Sequence, residues 1–478
     1  MRSGRRSTIQ HLACGLAVAA AALWAAPVVA QNNGGNNQGN GGGNINNVFG
    51  NLPAGVLVSP DGVLRVKTFA DKTGKLAKAR AAEARAKLGA DLARPSEMRK
   101  ISLNRLEAAL AEMLARGDEP TDEMKHLAGL TRLQYVFFYP ETGDIVVAGP
   151  AEGFMPDAAG RMIGVNTGRA ILELQDLVTA LRAYPPAGKQ THVISVSIDP
   201  TQEGLKRMQE WLVAISGRVR PGDASAIVAG LKEKLGLQNV TIQGVSPRSH
   251  FAQVLVEADY RMKLIGIGIE TPPVKMATYV SKANPSDISR NAMQRWFFTP
   301  DYDCVRVAED SLAMEMVGQG VKLVGENELV QADGSRANAA AGNKASELYC
   351  QAFTNLYPQI AARNPVYAQM RNLIDMSVAA AFIQKQDYYG QAGWKADVLL
   401  DEQKYAVETY EAPRQVETAC TAIWKGNRLM TPVGGGVHIE PTDALQPSRL
   451  LADEQGQVKA TRAQVKLDGL ANGQWWWD

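Results

Sequence analysis

Four charged side chains in residues 257–263 (EADYRMK) have the spacing that places acids beside bases on a helix. Glu257 and Arg261 are four residues apart, as are Asp259 and Lys263, so the partners of each pair lie one turn apart. Asp259 falls at the margin of the predicted apolar face, and a half-buried carboxylate beside Lys263 could act as an acid–base pair in a cleft. Such pairs are also typical of ordinary helices, where each contributes only about 0.2–0.5 kcal/mol. We favour the structural interpretation and keep Asp259 and Lys263 as candidate catalytic residues.

Residues of the types that bind metals occur without a recognised ligand spacing. The acids within residues 301–310 could offer oxygen ligands to Ca²⁺, but they do not follow an EF-hand loop. The histidines after residue 30 occur singly, outside any His-Glu-x-x-His pattern, and are His126, His192, His250 and His438. Neither a Gly-x-Ser-x-Gly elbow nor a Walker-type loop occurs. The sequence therefore predicts no metal site and no cofactor.

Three consecutive aromatic residues, Trp475, Trp476 and Trp477, lie directly before Asp478. Exposed, they could stack on sugar rings of an envelope polysaccharide; buried, they would anchor the C-terminus on the core. We favour docking in the fold and keep the three residues as a possible ligand contact.

The elements that must position these residues are mixed. Turns at residues 59–62 and 140–143 separate short apolar runs and predict two β-hairpins. Helical periodicity predicts helices over residues 75–92, 103–114, 174–181, 201–215, 251–262 and, as a pair, 344–383, in which Asn364 can cap the second helix. Strand patterns occur at residues 193–198, 240–243, 303–307, 321–324 and 416–424. Hairpins beside helix–strand alternation favour an α+β protein of two or three domains.

The first thirty residues have the three zones of a secretory signal peptide: a basic start, an apolar run over residues 12–26, and a small-residue end at Ala30. The run is shorter than the ~20 residues that span a bilayer. Residues 31–50, rich in Asn and Gly, predict a disordered linker. We assign residues 51–245 to an N-terminal α+β domain and residues 246–478 to a C-terminal one that contains the helical pair and terminal strands.

Charge and cysteine content narrow the class of protein. Removing the first thirty residues deletes three arginines and no acid, so the formal charge changes from +2 to −1. This balance argues against a nucleic-acid partner. Cys304, Cys350 and Cys420 remain, and an odd number in an oxidising compartment permits one disulfide, in any of three pairings, and one free thiol.

Four stretches together resemble a family of exported proteins of unknown function, known chiefly from planctomycete bacteria. They are residues 135–153 (YVFFYPETGDIVVAGPAEG), 254–268 (VLVEADYRMKLIGIG), 298–324 (FTPDYDCVRVAEDSLAMEMVGQGVKLV) and 364–383. The resemblance spans residues 127–445 and implies export, but it implies no reaction, cofactor or site residue.

These observations favour an exported binding or structural protein, associated with an envelope or extracellular partner, over an enzyme. The alternative is an exported hydrolase of envelope or environmental polymers. Its residues would be Asp259 and Lys263, with the tryptophans as a sugar contact.

We expect signal peptidase to cleave after Ala30, because the apolar run ends there in a small-residue motif. Mass spectrometry of protein secreted by its native host should then identify an N-terminal peptide that begins at Gln31, as glutamine or its cyclised pyroglutamate form. Soluble cytosolic protein that retains Met1 would contradict the export prediction.

Overall fold

The computed structural model describes residues 54–478, apart from residues 69–73, 189, 217, 285–291, 331–335, 339–342, 422, 426–427 and 431–434. The predicted signal peptide and linker lie outside the described residues. The α+β class is confirmed, because helices are interspersed irregularly with strands of two large mixed sheets. None of the described helices combines the length and apolarity needed to cross a membrane.

The strands are β1 Ala54–Val58, β2 Val63–Thr68, β3 Ser96–Ser102, β4 Tyr135–Tyr139, β5 Asp144–Ala151, β6 Phe154–Pro156, β7 Met162–Gly164, β8 Ile194–Asp199, β9 Gln238–Gln243, β10 Ala292–Pro300, β11 Val305–Val307, β12 Ala313–Met316, β13 Val321–Val330, β14 Arg336–Asn338, β15 Gln415–Val416, β16 Ile423–Lys425, β17 Arg428–Met430, β18 Gly435–Ile439, β19 Leu451–Ala452 and β20 Trp476–Trp477.

The α-helices are α1 Lys75–Lys87, α2 Ala90–Ala93, α3 Leu103–Ala115, α4 Asp122–Lys125, α5 Leu174–Ala183, α6 Gln202–Ile215, α7 Ala224–Leu235, α8 His250–Gly266, α9 Tyr279–Lys282, α10 Lys344–Asn355, α11 Tyr357–Arg363, α12 Pro365–Lys385, α13 Tyr388–Ala392 and α14 Gln457–Gln464. Short 3₁₀ helices lie at Leu127–Gly129, Pro221–Asp223 and Asp443–Leu445.

Nine of the described strands form one sheet in the order β1-β2-β15-β9-β8-β18-β10-β13-β14. The pairs β2–β15 and β10–β18 are parallel, and the other pairs are antiparallel. Strands from both sides of residue 245 share this sheet, and β15, from after residue 245, lies between β2 and β9, from before it. The domain boundary predicted there stays a prediction.

Seven further strands form a second sheet in the order β19-β11-β12-β4-β5-β3-β20. Both hairpins predicted from turn residues are present, as β1–β2 and β4–β5. The main apolar core draws side chains from both sheets, including Phe298 and Val437 of the first and Val136 and Phe138 of the second. Helices α5, α8 and α12 pack against one another within this core, and α8 lies on β8, β10 and β18.

Two predicted elements differ from the structure. The first helix of the pair predicted over residues 344–383 is two helices, α10 and α11, which are separated at Leu356, because Pro358 lacks the N–H that would continue α10. The Asn364 side chain does not cap α12; its Oδ1 accepts a hydrogen bond from Arg261 Nη1 at 3.4 Å. The strand predicted over residues 416–424 is only β15 and the start of β16, because Cys420 packs instead against helices α6 and α7.

The disulfide that the cysteine count permits does not form among the described residues. Cys304, Cys350 and Cys420 are each buried and free.

The C-terminus is held against the second sheet. Strand β20 pairs with β3, and Trp475 and Trp477 are buried. The Asp478 carboxylate accepts hydrogen bonds from Arg99 Nε at 2.9 Å and Nη2 at 3.0 Å, and Arg99 is fully enclosed. The three tryptophans therefore lie within the fold, and a ligand contact through them stays a prediction.

We expect Asp478→Asn to destabilise the protein in a pH-dependent way. Burial alone would raise the pKa of Asp478, but hydrogen bonds from Arg99 and Ser96 hold it below its usual value. The ion pair therefore contributes its full share of the free energy of unfolding above the unfolded carboxyl pKa of about 3.9. That contribution is lost as the pH falls through the lower pKa of Asp478 in the folded protein. Urea unfolding near neutral pH should show a loss of about 1.5–3 kcal/mol, shrinking in acid.

The control is Asp118→Asn, which removes the partner of Arg116 in an exposed pair and should leave stability unchanged. If Asp478→Asn unfolds at the same urea concentration as the wild type at neutral pH, the stabilising role given to the Arg99–Asp478 pair is contradicted.

Candidate functional site

Helix α8 is enclosed on nearly every side. The Ser249 hydroxyl caps its first turn by accepting a hydrogen bond from Ala252 N at 3.2 Å. The nine-stranded sheet covers one side and α12 another, so this helix has almost no solvent face. Its charged residues are therefore buried together with its apolar ones, and Glu257, Asp259, Arg261 and Lys263 are all buried.

Asp259 and Lys263 form a fully enclosed ion pair. Lys263 Nζ lies 2.9 Å from Asp259 Oδ2 and also donates to the carbonyl oxygens of Gly435 at 2.9 Å and Ile198 at 3.4 Å. Asp259 Oδ1 is buried without a hydrogen-bond partner among the described residues. The prediction of a half-buried Asp259 is wrong, because α8 lacks the exposed side that the periodicity implied. A catalytic role for the pair stays a prediction.

Burial opposes the charge on both members of this pair. It raises the pKa of Asp259 to about 6, although Lys263 acts in the opposite direction. It lowers the pKa of Lys263, which Asp259 counteracts. The pair also requires a glycine in β18, since a Cβ on Gly435, whose φ is +141°, would lie 2.7 Å from Lys263 Cε and 2.3 Å from the Trp296 carbonyl oxygen.

A second group of charged residues lines a pocket of about 250 Å³. We call it the arginine pocket, because its lining includes Arg132, Arg169 and Arg371. Helix α12 supplies Arg371 and, one turn later, the buried Asp375. Arg132 follows the 3₁₀ helix at Leu127–Gly129. Its backbone lies against Gly149, where a Cβ would be 2.1 Å from the Arg132 carbonyl oxygen.

Arg169 lies at the rim of the arginine pocket, in the loop after β7. The buried Glu152 shapes this loop, because its Oε2 accepts a hydrogen bond from Asn166 N at 2.7 Å. The Arg169 side chain is exposed.

The arginine pocket has more positive than negative charge. Arg132 Nε lies 3.0 Å from Asp375 Oδ2, and among the described residues Asp375 is the one carboxylate within ion-pair distance of any of the three arginines. Arg371 donates instead to amide oxygens, of Asn372 at 3.1 Å and Gln319 at 3.5 Å. Arg132 Nη2 and Arg371 Nε are buried without a partner among the described residues. Burial and the nearby Arg132 lower the pKa of Arg371 to about 10, so it remains charged at neutral pH.

A third group contains the types of residue that hold metals. Glu173 directly precedes α5, Asp176 lies in the first turn of α5, and His250 is the first residue of α8. The ligand atoms of these three residues lie within 4.8 Å of one another. His250 Nδ1 is 2.9 Å from Asp176 Oδ2 and 3.8 Å from Glu173 Oε2. Burial would lower the pKa of His250, but the two carboxylates raise it to about 9.

Sequence reasoning missed both of these groups, for the same reason. Arg132 and Asp375 are 243 residues apart, and Asp176 and His250 are 74 apart, so no local spacing reveals them. One signal was present: Arg371 and Asp375 interrupt the long apolar helix at i, i+4, although both faces of that helix are otherwise dominated by core residues.

Residues 196–279 match a protein family described as "Protein of unknown function (DUF1598)". The matched stretch runs from β8 to the first residue of α9 and includes His250, Asp259 and Lys263. The chain thus contains a domain of unknown function, as the resemblance implied in part; export and bacterial origin stay predictions. No curated protein and no solved structure matches the chain.

We expect Lys263→Met to destabilise the protein strongly, because it leaves Asp259 enclosed without its cation. Breaking a buried pair costs about 3–5 kcal/mol, whereas replacing both partners by apolar residues is often close to neutral. The double variant Asp259→Leu/Lys263→Met should therefore be more stable than Lys263→Met alone in chemical unfolding.

The matched control is the pair Glu83 and Lys87, which has the same i, i+4 spacing but is exposed. Glu83→Leu/Lys87→Met and its single variants should show no such coupling. If the losses in free energy of unfolding of Asp259→Leu and Lys263→Met simply add in the double variant, the two residues do not depend on each other and the prediction is contradicted.

Proposed function

We propose that this is an exported, envelope-associated binding protein that receives a small oxyanionic group in the arginine pocket. The signal-peptide pattern of the first thirty residues supports export. The charge of the arginine pocket supports binding, and it is the observation that carries the proposal.

Enclosed guanidinium groups are stable only when paired or fully hydrogen-bonded, since removing a charge from water costs several kcal/mol. Among the described residues, Arg132 has a carboxylate partner in Asp375, while Arg371 has only amide oxygens. Arg132 Nη2 and Arg371 Nε, which lack a partner in that part of the chain, are donors of the kind that phosphate, sulfate and carboxylate oxygens accept. An anion in the arginine pocket would offset the excess of positive charge and lie beside the guanidinium groups that carry these donors.

The size of the arginine pocket favours a small group. Sites for drug-sized ligands have volumes of roughly 300–1,000 Å³. At about 250 Å³ the arginine pocket suits an inorganic anion or the anionic substituent of a larger envelope polymer. Guanidinium groups recognise planar carboxylates and tetrahedral phosphates or sulfates by the same paired N–H donors. The shared chemistry is therefore an oxyanion.

The binding proposal has firmer structural support than the hydrolase alternative. Asp259 and Lys263 are 0% and 1% exposed as side chains, so a polymer substrate has no contact with them in this conformation. Arg169, by contrast, is exposed at the rim of a pocket.

We expect isothermal titration calorimetry on the mature protein to detect binding of sulfate, inorganic phosphate or glucuronate at constant ionic strength. Arg169→Met should weaken that binding about 10- to 100-fold, because a hydrogen bond to a charged group is worth about 1.5–3 kcal/mol. Arg169 is exposed, so this variant should fold normally. Arg371→Met should abolish binding, with circular dichroism as the check on its fold.

The matched control is Arg116→Met, which removes an exposed arginine outside the arginine pocket. Comparing the three anions identifies whether a tetrahedral or a carboxylate group is preferred. Absence of binding by all three, or equal binding by Arg169→Met and Arg116→Met, would overturn the proposal.

A further inference from the structure

We propose that Glu173, Asp176 and His250 form a binding site for one divalent transition-metal ion, with zinc as the best-suited candidate. This site is separate from the arginine pocket and does not depend on the function proposed for it.

The donor atoms have the separations that a metal site requires. Two ligand atoms at about 2.1 Å from a tetrahedral zinc ion are roughly 3.4 Å apart. His250 Nδ1 lies 2.9 and 3.1 Å from the two Asp176 oxygens and 3.8 Å from Glu173 Oε2, which brackets that value. The three ligand atoms all lie within 4.8 Å of one another.

The site is held in place by its surroundings. Gln175 Nε2 donates to Glu173 Oε2 at 2.5 Å and to the Tyr410 hydroxyl at 3.1 Å. The Tyr410 ring lies against His250, with ring centroids 5.6 Å apart. Hydrogen bonds to a ligand carboxylate and contacts that fix an imidazole are the outer-shell features that orient metal ligands.

Charge also favours a cation here. Two carboxylates face a single imidazole, and the nearby Arg161 is hydrogen-bonded to the Glu257 carboxylate of α8. A protonated His250 balances only one of the two carboxylates. A divalent ion bound to neutral His250 balances both.

The mixture of ligands points to a transition metal. Ca²⁺ takes six to eight oxygen ligands, and Mg²⁺ is also held by oxygens, whereas an imidazole nitrogen with carboxylates suits zinc and its neighbours. Three protein ligands leave a fourth position for water or another ligand.

Two of the three proposed ligands reach the protein surface. His250 and Glu173 side chains are 14% and 12% exposed. A small ion therefore has access from solvent without unfolding.

The competing explanation is a metal-free ion network in which protonated His250 pairs with both Asp176 and Glu173. It accounts for both contacts and predicts no uptake of a metal ion. The two explanations differ in whether Glu173 contributes to uptake of a metal.

The test is titration of the mature protein, freed of metal by a chelator and dialysis, with Zn²⁺ by calorimetry and with Co²⁺ by visible absorption. We expect one equivalent of each ion to bind and Co²⁺ to develop ligand-field bands. His250→Gln should weaken Zn²⁺ binding at least 100-fold and Glu173→Gln at least tenfold. If Glu173→Gln still binds sulfate with the affinity of the wild type, the proposed metal site is independent of the arginine pocket.

The matched control is His438→Gln, since His438 also lies 2.9 Å from a carboxylate, Glu440, but without a second acid in the group. It should bind Zn²⁺ as the wild type does. If His250→Gln does not fold, Glu173→Gln carries the test, because its side chain is partly exposed. No Zn²⁺ uptake by folded wild-type protein, or unchanged uptake by Glu173→Gln, would overturn the proposal.

Discussion

The need to compensate charges buried between packed helices governs this structure. Helices α5, α8 and α12 each carry one enclosed aspartate into the core: Asp176, Asp259 and Asp375. Each aspartate lies within hydrogen-bond distance of a basic side chain. Because a buried charge is tolerated only with such a partner, these contacts restrict how the three helices can pack.

The three contacts also connect parts of the chain that are distant in sequence. Asp176 with His250 joins α5 to α8, and Asp375 with Arg132 joins α12 to the segment before β4. Lys263 joins α8 to the nine-stranded sheet through two carbonyl oxygens. The domain of unknown function therefore contributes basic residues to two of these contacts, from within its matched stretch. Where basic and acidic groups do not balance, as around Arg371 and around Glu173, the structure has a candidate binding site.

The sequence was sufficient to predict most of the local helices and hairpins. It was insufficient to predict which other elements pack against them. Turn residues identified both hairpins, and apolar periodicity located α8 and α12. Apolar periodicity predicts that a helix has one buried and one exposed side. This is wrong for α8, because the nine-stranded sheet covers one side of it and α12 covers another. The free cysteines and the broken strand at residues 416–424 have a similar origin, because both depend on tertiary contacts. Neither ligand group could be found from spacing, since its members meet only in the folded chain.

The arginine pocket is tested most directly by a crystal structure of the mature protein soaked in millimolar sulfate, beside a crystal kept in chloride. We expect tetrahedral density in the sulfate crystal, within hydrogen-bond distance of the Arg132 and Arg371 guanidinium groups, and none in the chloride crystal. A sulfate-soaked crystal with only water in the pocket, and with Arg371 paired to a carboxylate of its own chain, would contradict the account.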